Sequence, residues 1–184
     1  MKFSEFWGLV RSDFKRYQEY WSYGTSLFTN IKLILMPAMV AVTLYRISNF
    51  FYRNGWKSIS WIIWAFNITL TGAEILPNAT IGRGFLLGHP VGTIISGKIG
   101  NNVTSYGQTG LGGGLDDKDV GAGKGLPVVE DNAIIGVRSI ILGPVVIGEG
   151  AVISPGAFVS KDVPAGATAI GNPCRILKRA EPPK

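Results

Sequence analysis

Apolar residues recur at nearly every sixth position from residue 75 to residue 159. Two positions in this series, Thr93 and Ser105, are polar, and the series is interrupted once. The apolar members are Ile75, Ile81, Leu87, Ile99, Leu111, Val129, Ile135, Ile141, Ile147, Ile153 and Val159. Turn-forming glycine, asparagine and proline residues lie between them. A period of six predicts a parallel β-helix, in which three hexads form one triangular coil and the apolar side chains point inward.

The interruption is a glycine-rich segment, residues 112–128, which we predict to be a loop. Val129 lies 54 positions after Ile75, a multiple of six, so the frame continues across the loop. Stacked coils bury their faces only against each other, and both ends of the stack need a cover. We therefore predict a β-helix domain over residues 72–177, a helical segment over residues 1–71 that covers one end, and a short tail over residues 178–184.

Helical periodicity replaces the sixfold pattern in the first part of the chain. Apolar residues three and four apart predict a helix over residues 3–20, a second from Ile31 to about Tyr52 with Pro37 near its start, and a third from Ile59 to about Leu70. None of the apolar runs reaches the roughly 20 residues that a bilayer span needs. Two interpretations stay open: the helices pack on each other and on a neighbouring subunit, or their basic, aromatic surface contacts an anionic membrane.

Net charge and cysteine content limit the kinds of partner and the cellular compartment that we expect. The 18 basic and 12 acidic residues give a net charge of +6, which favours an anionic partner, whether nucleic acid, membrane or a phosphorylated cofactor. A single cysteine excludes an internal disulfide framework and a cysteine-rich metal site, and it fits a reducing, cytoplasmic compartment. The aspartates of the loop lack the spacing of a calcium site, so we predict no metal.

The only histidine, His89, follows the inward position Leu87 by two residues, so its ring should project from a corner of the coil. Glu74 lies 15 residues earlier, close to one coil of 18, which places the carboxylate about one strand layer away. A carboxylate that holds one imidazole nitrogen while the other takes a proton is the arrangement of a general base. Periodicity alone does not separate such a dyad from a coincidence.

Residues 44–178 resemble the serine acetyltransferase branch of the hexapeptide-repeat acyltransferases. The matching segments are LYRISNFFYRNG, TGAEILPNATIGRGFLLGHPVGTIISGKIGNNVTSYGQTGLGGG and IIGVRSIILGPVVIGEGAVISPGAFVSKDVPAGATAIGNPCRIL. The resemblance implies a mainly β fold, a left-handed parallel β-helix of hexapeptide repeats preceded by an α-helical segment. It also implies a homotrimer or a dimer of trimers, and no nucleic-acid partner.

The same resemblance implies an acetyl-CoA-dependent O-acetyltransferase in which His89 is the catalytic base and Glu74 the carboxylate that orients it. Acetyl-CoA serves as co-substrate. The positions that match the family's CoA-binding turns or could meet the nucleotide phosphates are Gly112, Gly113, Gly136, Val137, Arg138, Ser154, Pro155, Arg175 and Lys178. Turn geometry for the glycines and a solvated surface for the cations are the alternative explanations.

Three departures from the serine enzymes guide the choice of acceptor. Gly88 replaces the aspartate before the base, Gly125-Leu126-Pro127 replaces an Arg-His-Pro sequence, and no acidic residue occurs between Glu19 and Glu74. Because a buried ammonium group without a carboxylate is costly, these changes favour a sugar hydroxyl of a surface polysaccharide or its precursor, met at the inner face of the membrane. Serine O-acetylation is the first alternative, and a non-catalytic β-helix scaffold is the second.

Overall fold

The computed structural model describes residues 1–21 and 26–177. Four helices come first: α1 (Phe3–Tyr20), α2 (Leu27–Ile34), α3 (Pro37–Arg53) and α4 (Lys57–Thr71). The second predicted helix is wrong in one respect, because it is two helices with a break at Leu35 and Met36. Proline lacks a backbone N–H and fits the first turn, so Pro37 begins α3 instead of lying inside a longer helix.

Fifteen short strands follow, and all but the last build a parallel β-helix of three sheets. Sheet 1 contains β1 (Ala73–Ile75), β4 (Thr93–Ile95), β7 (Gly110–Gly112), β10 (Ile140–Leu142) and β13 (Phe158–Val159). Sheet 2 contains β2 (Thr80–Ile81), β5 (Lys98–Ile99), β8 (Val128–Val129) and β11 (Val146–Ile147). Sheet 3 contains β3 (Leu86–Leu87), β6 (Thr104–Ser105), β9 (Ile134–Ile135), β12 (Val152–Ile153), β14 (Thr168–Ile170) and β15 (Arg175–Leu177). The predicted mainly β solenoid with an N-terminal helical region is confirmed.

The predicted frame is wrong at one position. Strand pairing aligns Ile75 with Ile95 and Ile95 with Leu111, so Ile95 takes the inward position that was assigned to Thr93. The corner from Leu87 to Ile95 is two residues longer than a hexad, and the next side, from Ile95 to Ile99, is two residues shorter. The two changes cancel, which is why the frame is correct on either side of them. All other members of the series are buried, Ser105 included.

The segment between β7 and β8 projects from the coil, and the strands before and after it keep the same register. Leu111 pairs with Ile141, 30 positions away where most neighbouring coils differ by 18, so the insertion amounts to 12 residues, two whole hexads. The two ends of the inserted segment meet, because a Cβ placed on Gly113 would lie 2.8 Å from the carbonyl oxygen of Gly125. The loop therefore closes on itself at its base.

A buried ion pair joins the helices to the first coil. Arg46 of α3 makes two contacts with Asp13 of α1, at 2.8 and 3.1 Å, and both side chains are almost fully buried. The guanidinium also donates to the carbonyl oxygens of Ile81 at 2.5 Å and Gly82 at 2.6 Å. Asp13 accepts from the backbone N–H of Phe85 at 2.9 Å. Burial raises the pKa of Asp13, and the charge of Arg46 and these hydrogen bonds oppose that rise.

Two buried tyrosines complete the cover over the first coil. The Tyr17 hydroxyl donates to the carbonyl oxygen of Leu87 at 2.7 Å and accepts from its N–H at 3.0 Å. The Tyr45 hydroxyl donates to the carbonyl oxygen of Ala79 at 2.8 Å. The open edge of the first coil thus finds its hydrogen-bond partners in helix side chains instead of another coil.

The other end of the stack is closed by the chain itself. β15 pairs with β14 in antiparallel direction, whereas the other strand pairs of the described chain are parallel. The N–H of Phe158 in β13 donates to the carbonyl oxygen of Gly171 at 3.1 Å, so the last strand of sheet 1 is also partly covered. The predicted tail, residues 178–184, lies outside the described residues.

Within the described ranges, no single helix has the length and hydropathy of a membrane span. The bent pair α2 and α3, at 67° to each other, meets those two criteria only when taken together.

Candidate active site

His89 lies on the widened corner between β3 and β4. Its side chain is exposed, while Pro90 beside it is buried. The carbonyl oxygen of His89 accepts a hydrogen bond from the Thr93 hydroxyl at 3.1 Å, and a Cβ on Gly107 of the next coil would collide with the same oxygen. The backbone of the corner is therefore held on two sides while the imidazole faces solvent.

The imidazole borders a shallow cavity of about 310 Å³ that is lined by His89, Tyr106, Val137 and Pro155. These four residues come from successive corners between sheet 3 and sheet 1, one above the other. Val137 and Pro155 belong to the turns predicted to bind CoA, so the fold brings them into one groove with the predicted base. A groove of this kind can accept an extended ligand along the stack.

Tyr106 also lines this cavity and is not among the site residues predicted from the sequence. Its ring centroid lies 6.4 Å from that of Tyr20 at the end of α1. A side-chain hydrogen bond with Tyr106 raises the pKa of Tyr20. The available sequence signal was its position, since Tyr106 follows the inward Ser105 as Gly88 follows Leu87. A residue at that place in the hexad belongs to the same column of corners as His89.

Glu74 lies in the middle of β1, half-buried, and is paired in register with Ile94, five residues after His89. In the part of the chain that the structure describes, neither the Glu74 carboxylate nor the His89 ring makes a side-chain hydrogen bond. The two residues are on adjacent levels of the stack, as the spacing predicts, and the pairing itself stays a prediction.

The remaining residues predicted to bind CoA are distributed unevenly. Gly112 and Gly113 lie across sheet 1 from the cavity, at the base of the loop. Ser154 precedes Pro155 on the cavity side. Exposed Arg175 lies in β15, which is five strand spacings from β3 in sheet 3, and so on the order of 24 Å from the corner of His89. Lys178 lies outside the described residues.

Gly136 and Arg138 flank Val137 at its corner. A Cβ on Gly136 would lie 2.5 Å from the backbone nitrogen of Pro155, so packing alone requires glycine there. Arg138 is exposed, has a left-handed φ of 60°, and donates from Nε to the Gln108 side-chain oxygen at 2.8 Å. Among residues 1–21 and 26–177, no group of three or more His, Cys, Asp or Glu side chains is assembled that could hold a metal ion.

Comparison with known proteins places this architecture among transferases. The family model described as bacterial transferase hexapeptide (six repeats) matches residues 127–161. Serine acetyltransferase of Helicobacter pylori strain 26695 is 30% identical over 149 residues, which cover 80% of this chain and 85% of that protein. Serine acetyltransferases of Bacillus pumilus and Bacillus licheniformis are 37% and 39% identical over 74% and 79% of this chain. The chain spans only 62% and 66% of the length of these two Bacillus relatives.

Solved structures of serine acetyltransferases have the same fold as this chain. Neisseria gonorrhoeae serine acetyltransferase in complex with serine superposes with a TM-score of 0.83 at 26% identity, covering 94% of this chain and 69% of that one. Soybean serine acetyltransferase complexed with serine gives a TM-score of 0.81 at 27% identity, covering 95% of this chain and 70% of that one.

These relatives overturn the prediction of a sugar or polysaccharide acceptor, which is wrong. That prediction depended on three departures from the serine enzymes: Gly88 before the base, Gly125-Leu126-Pro127 after the loop, and the lack of an acidic residue between Glu19 and Glu74. In the structure the Gly88 backbone packs closely on the next coil, and a Cβ there would lie 3.0 Å from the carbonyl oxygen of Tyr106. This close packing favours a small residue at position 88 whatever the acceptor is. By sequence, by fold and by the repeat that builds it, the chain belongs to the serine acetyltransferase family of hexapeptide-repeat transferases.

Proposed function

We propose that the protein transfers the acetyl group of acetyl-CoA to the hydroxyl of serine, with His89 as general base. The observation that carries the proposal is the exposed imidazole of the only histidine, at the edge of the cavity formed with Tyr106, Val137 and Pro155. The relatives named above are serine acetyltransferases, and two of the similar structures hold serine.

The proposed chemistry needs one proton acceptor and no covalent enzyme intermediate. An imidazole nitrogen of His89 takes the proton of the serine hydroxyl as the oxygen attacks the thioester carbonyl carbon. The carbon–sulfur bond then breaks, and the imidazolium returns its proton to the departing CoA sulfur. The products are O-acetylserine and CoA. Cys174, the only cysteine, is buried in the last turn and takes no part in this scheme.

Two further assignments belong to the same proposal. Glu74 orients the His89 ring from the neighbouring level, a role supported by its register beside Ile94. CoA lies along the column of corners, where Val137 and Pro155 already line the cavity and the exposed Arg138 can meet a phosphate. Gly112, Gly113, Ser154, Arg175 and Lys178 are proposed contacts on the ground of family resemblance alone.

The direct test follows CoA release from acetyl-CoA in the presence and absence of L-serine. We expect serine-dependent release that falls about 10²- to 10⁴-fold in His89→Asn, which has no basic nitrogen. Glu74→Gln should lose roughly tenfold or more, while Glu74→Asp, which keeps the carboxylate, should retain most activity. Lys161→Ala, at an exposed corner after β13, is the control and should match the wild type.

Serine-independent CoA release, or equal rates in His89→Asn and wild type, would rule the proposal out. Tight CoA binding without release to any tested hydroxyl would favour the scaffold interpretation.

We also propose a homotrimer. Ile94 and Ile140 on sheet 1 and Ile134 on sheet 3 leave 47%, 43% and 37% of their surfaces exposed, and such apolar residues suit lateral contact between subunits. Light scattering should give three times, or for a dimer of trimers six times, the mass of one chain. Cytoplasmic location and peripheral membrane contact stay predictions; flotation with anionic vesicles at low salt tests the latter.

A further inference from the structure

The corner that carries His89 is two residues longer than a hexad, and longer turns have more conformations to lose. A general base requires the opposite, a ring held close to one position. Something in the chain must therefore restrain this corner.

The Thr93 side chain supplies such a restraint. Its hydroxyl donates to the carbonyl oxygen of His89 at 3.1 Å and accepts from the backbone N–H of Gln108 at 2.9 Å. Thr93 is fully buried, so these bonds form away from competing water. One hydroxyl thus spans the turn from residue 93 back to residue 89 and also ties it to the next coil.

Gln108, whose N–H donates to the Thr93 hydroxyl, is itself held in place. Gln108 has a left-handed φ of 52°, and its side-chain oxygen accepts from Arg138 Nε at 2.8 Å, one coil further along. The N–H of Arg138 donates to the carbonyl oxygen of Gly107 at 3.2 Å. The restraint on His89 is therefore anchored through two successive coils.

We propose that Thr93 is a positioning residue for His89. It acts through the His89 backbone, since its hydroxyl contacts the carbonyl oxygen and not the ring. This role rests on the proposed function of His89 as general base, and its test includes a measurement that needs no substrate.

That measurement uses the single histidine. Because the chain has one histidine, its imidazole gives one set of ring signals in a ¹H–¹³C NMR spectrum. Thr93→Val replaces the hydroxyl by a methyl group of similar size. We expect His89 ring signals that shift and broaden or double in Thr93→Val, and that stay close to the wild type in Thr93→Ser, which keeps the hydroxyl.

Kinetics provide the second measurement. Thr93→Val should lower kcat roughly 10- to 100-fold with the KM for acetyl-CoA within about twofold, because the base is misplaced while the cavity is intact. Thr93→Ser should recover most of kcat. Ser48→Ala removes another buried, hydrogen-bonded hydroxyl, between α3 and α4, and should leave both kcat and the ring signals unchanged. Thr93→Ala repeats the loss without an added methyl group, should the valine variant fail to fold.

The outcomes separate the two proposals. Unchanged ring signals and unchanged kcat in folded Thr93→Val or Thr93→Ala would overturn the positioning role. A wild type that does not acetylate serine, combined with ring signals that change in Thr93→Val and recover in Thr93→Ser, would overturn the proposed function and leave the positioning of His89 supported.

Discussion

Arg46 brings a positive charge into the contact between the helices and the first coil, where only 1% of its surface is exposed. Four hydrogen bonds from its guanidinium satisfy Asp13 and two backbone carbonyls. Compared with apolar residues at both positions, a buried ion pair of this geometry adds little to the free energy of unfolding. The loss of one partner, however, leaves the other charge buried without a counter-charge.

We therefore predict that Arg46→Met lowers the free energy of unfolding by about 3–5 kcal/mol, measured by urea denaturation. The double variant Asp13→Leu with Arg46→Met should be more stable than Arg46→Met alone, because no unpaired charge is buried. A single variant that loses less than about 1 kcal/mol would show that the ion pair does not hold the helices to the coil.

For single residues, the sequence predicts the role of some and gives no sign of the role of others. His89 is visible because it is the only histidine and stands at a corner of a regular repeat. Arg46 is concealed, since a helix pattern does not reveal that one of its basic residues is buried against a partner 33 positions away. Tyr106 is concealed for a related reason: its contact with Tyr20 joins two elements that no local pattern connects.

The loop between β7 and β8 adds a multiple of six residues to its coil. Its 12 extra residues equal two hexads, so their removal should leave the register of the coils unchanged. We predict that deletion of residues 114–125, which joins Gly113 to Leu126, preserves the circular dichroism spectrum and changes the free energy of unfolding by no more than about 1–2 kcal/mol.

Deletion of residues 113–125 is the matched control. Removing 13 residues leaves an odd offset, and an odd offset turns inward side chains outward. This variant should unfold at clearly lower urea concentration. Equal stability of the two deletions would contradict the register argument.

An even change in length also explains why the sequence assigns the inward position to Thr93 instead of Ile95. The corner at His89 gains two residues and the next side loses two, so counting by sixes from either end gives the correct frame and hides the shift. Both changes are even, and the alternation of inward and outward faces is kept. Only the strand pairing reveals that Ile95 replaces Thr93. Pro37 is a similar case, because a proline near a helix start is compatible with one helix or with the beginning of the next.

At the scale of the whole molecule, the helical cover depends on phenol groups that stay protonated. Burial raises the pKa of Tyr45 to about 12 and raises that of Tyr17 as well. In the unfolded chain both titrate near 10. Between these values the unfolded state releases protons that the folded state retains, so their contribution to stability is complete below pH 10 and is lost as the pH rises through 12.

We predict that the free energy of unfolding falls between pH 10 and 12, by about 2–3 kcal/mol for Tyr45 alone. Urea denaturation at several pH values measures the slope. Tyr45→Phe should start from a lower stability, since the bond to the Ala79 carbonyl is gone, and should show a shallower fall. An identical slope in Tyr45→Phe would exclude Tyr45 as a cause.

The two ends of the solenoid are closed by different means, polar helix side chains over the first coil and an antiparallel strand beside β14. A stack of parallel coils is otherwise a template for end-to-end fibre growth, because each terminal strand offers unpaired N–H and C=O groups to another molecule. Here one end is occupied by hydroxyl and guanidinium groups, and at the other a strand of reversed direction covers the edge of sheet 3. Longitudinal polymerisation is thereby disfavoured, which leaves lateral contact as the route to the proposed trimer.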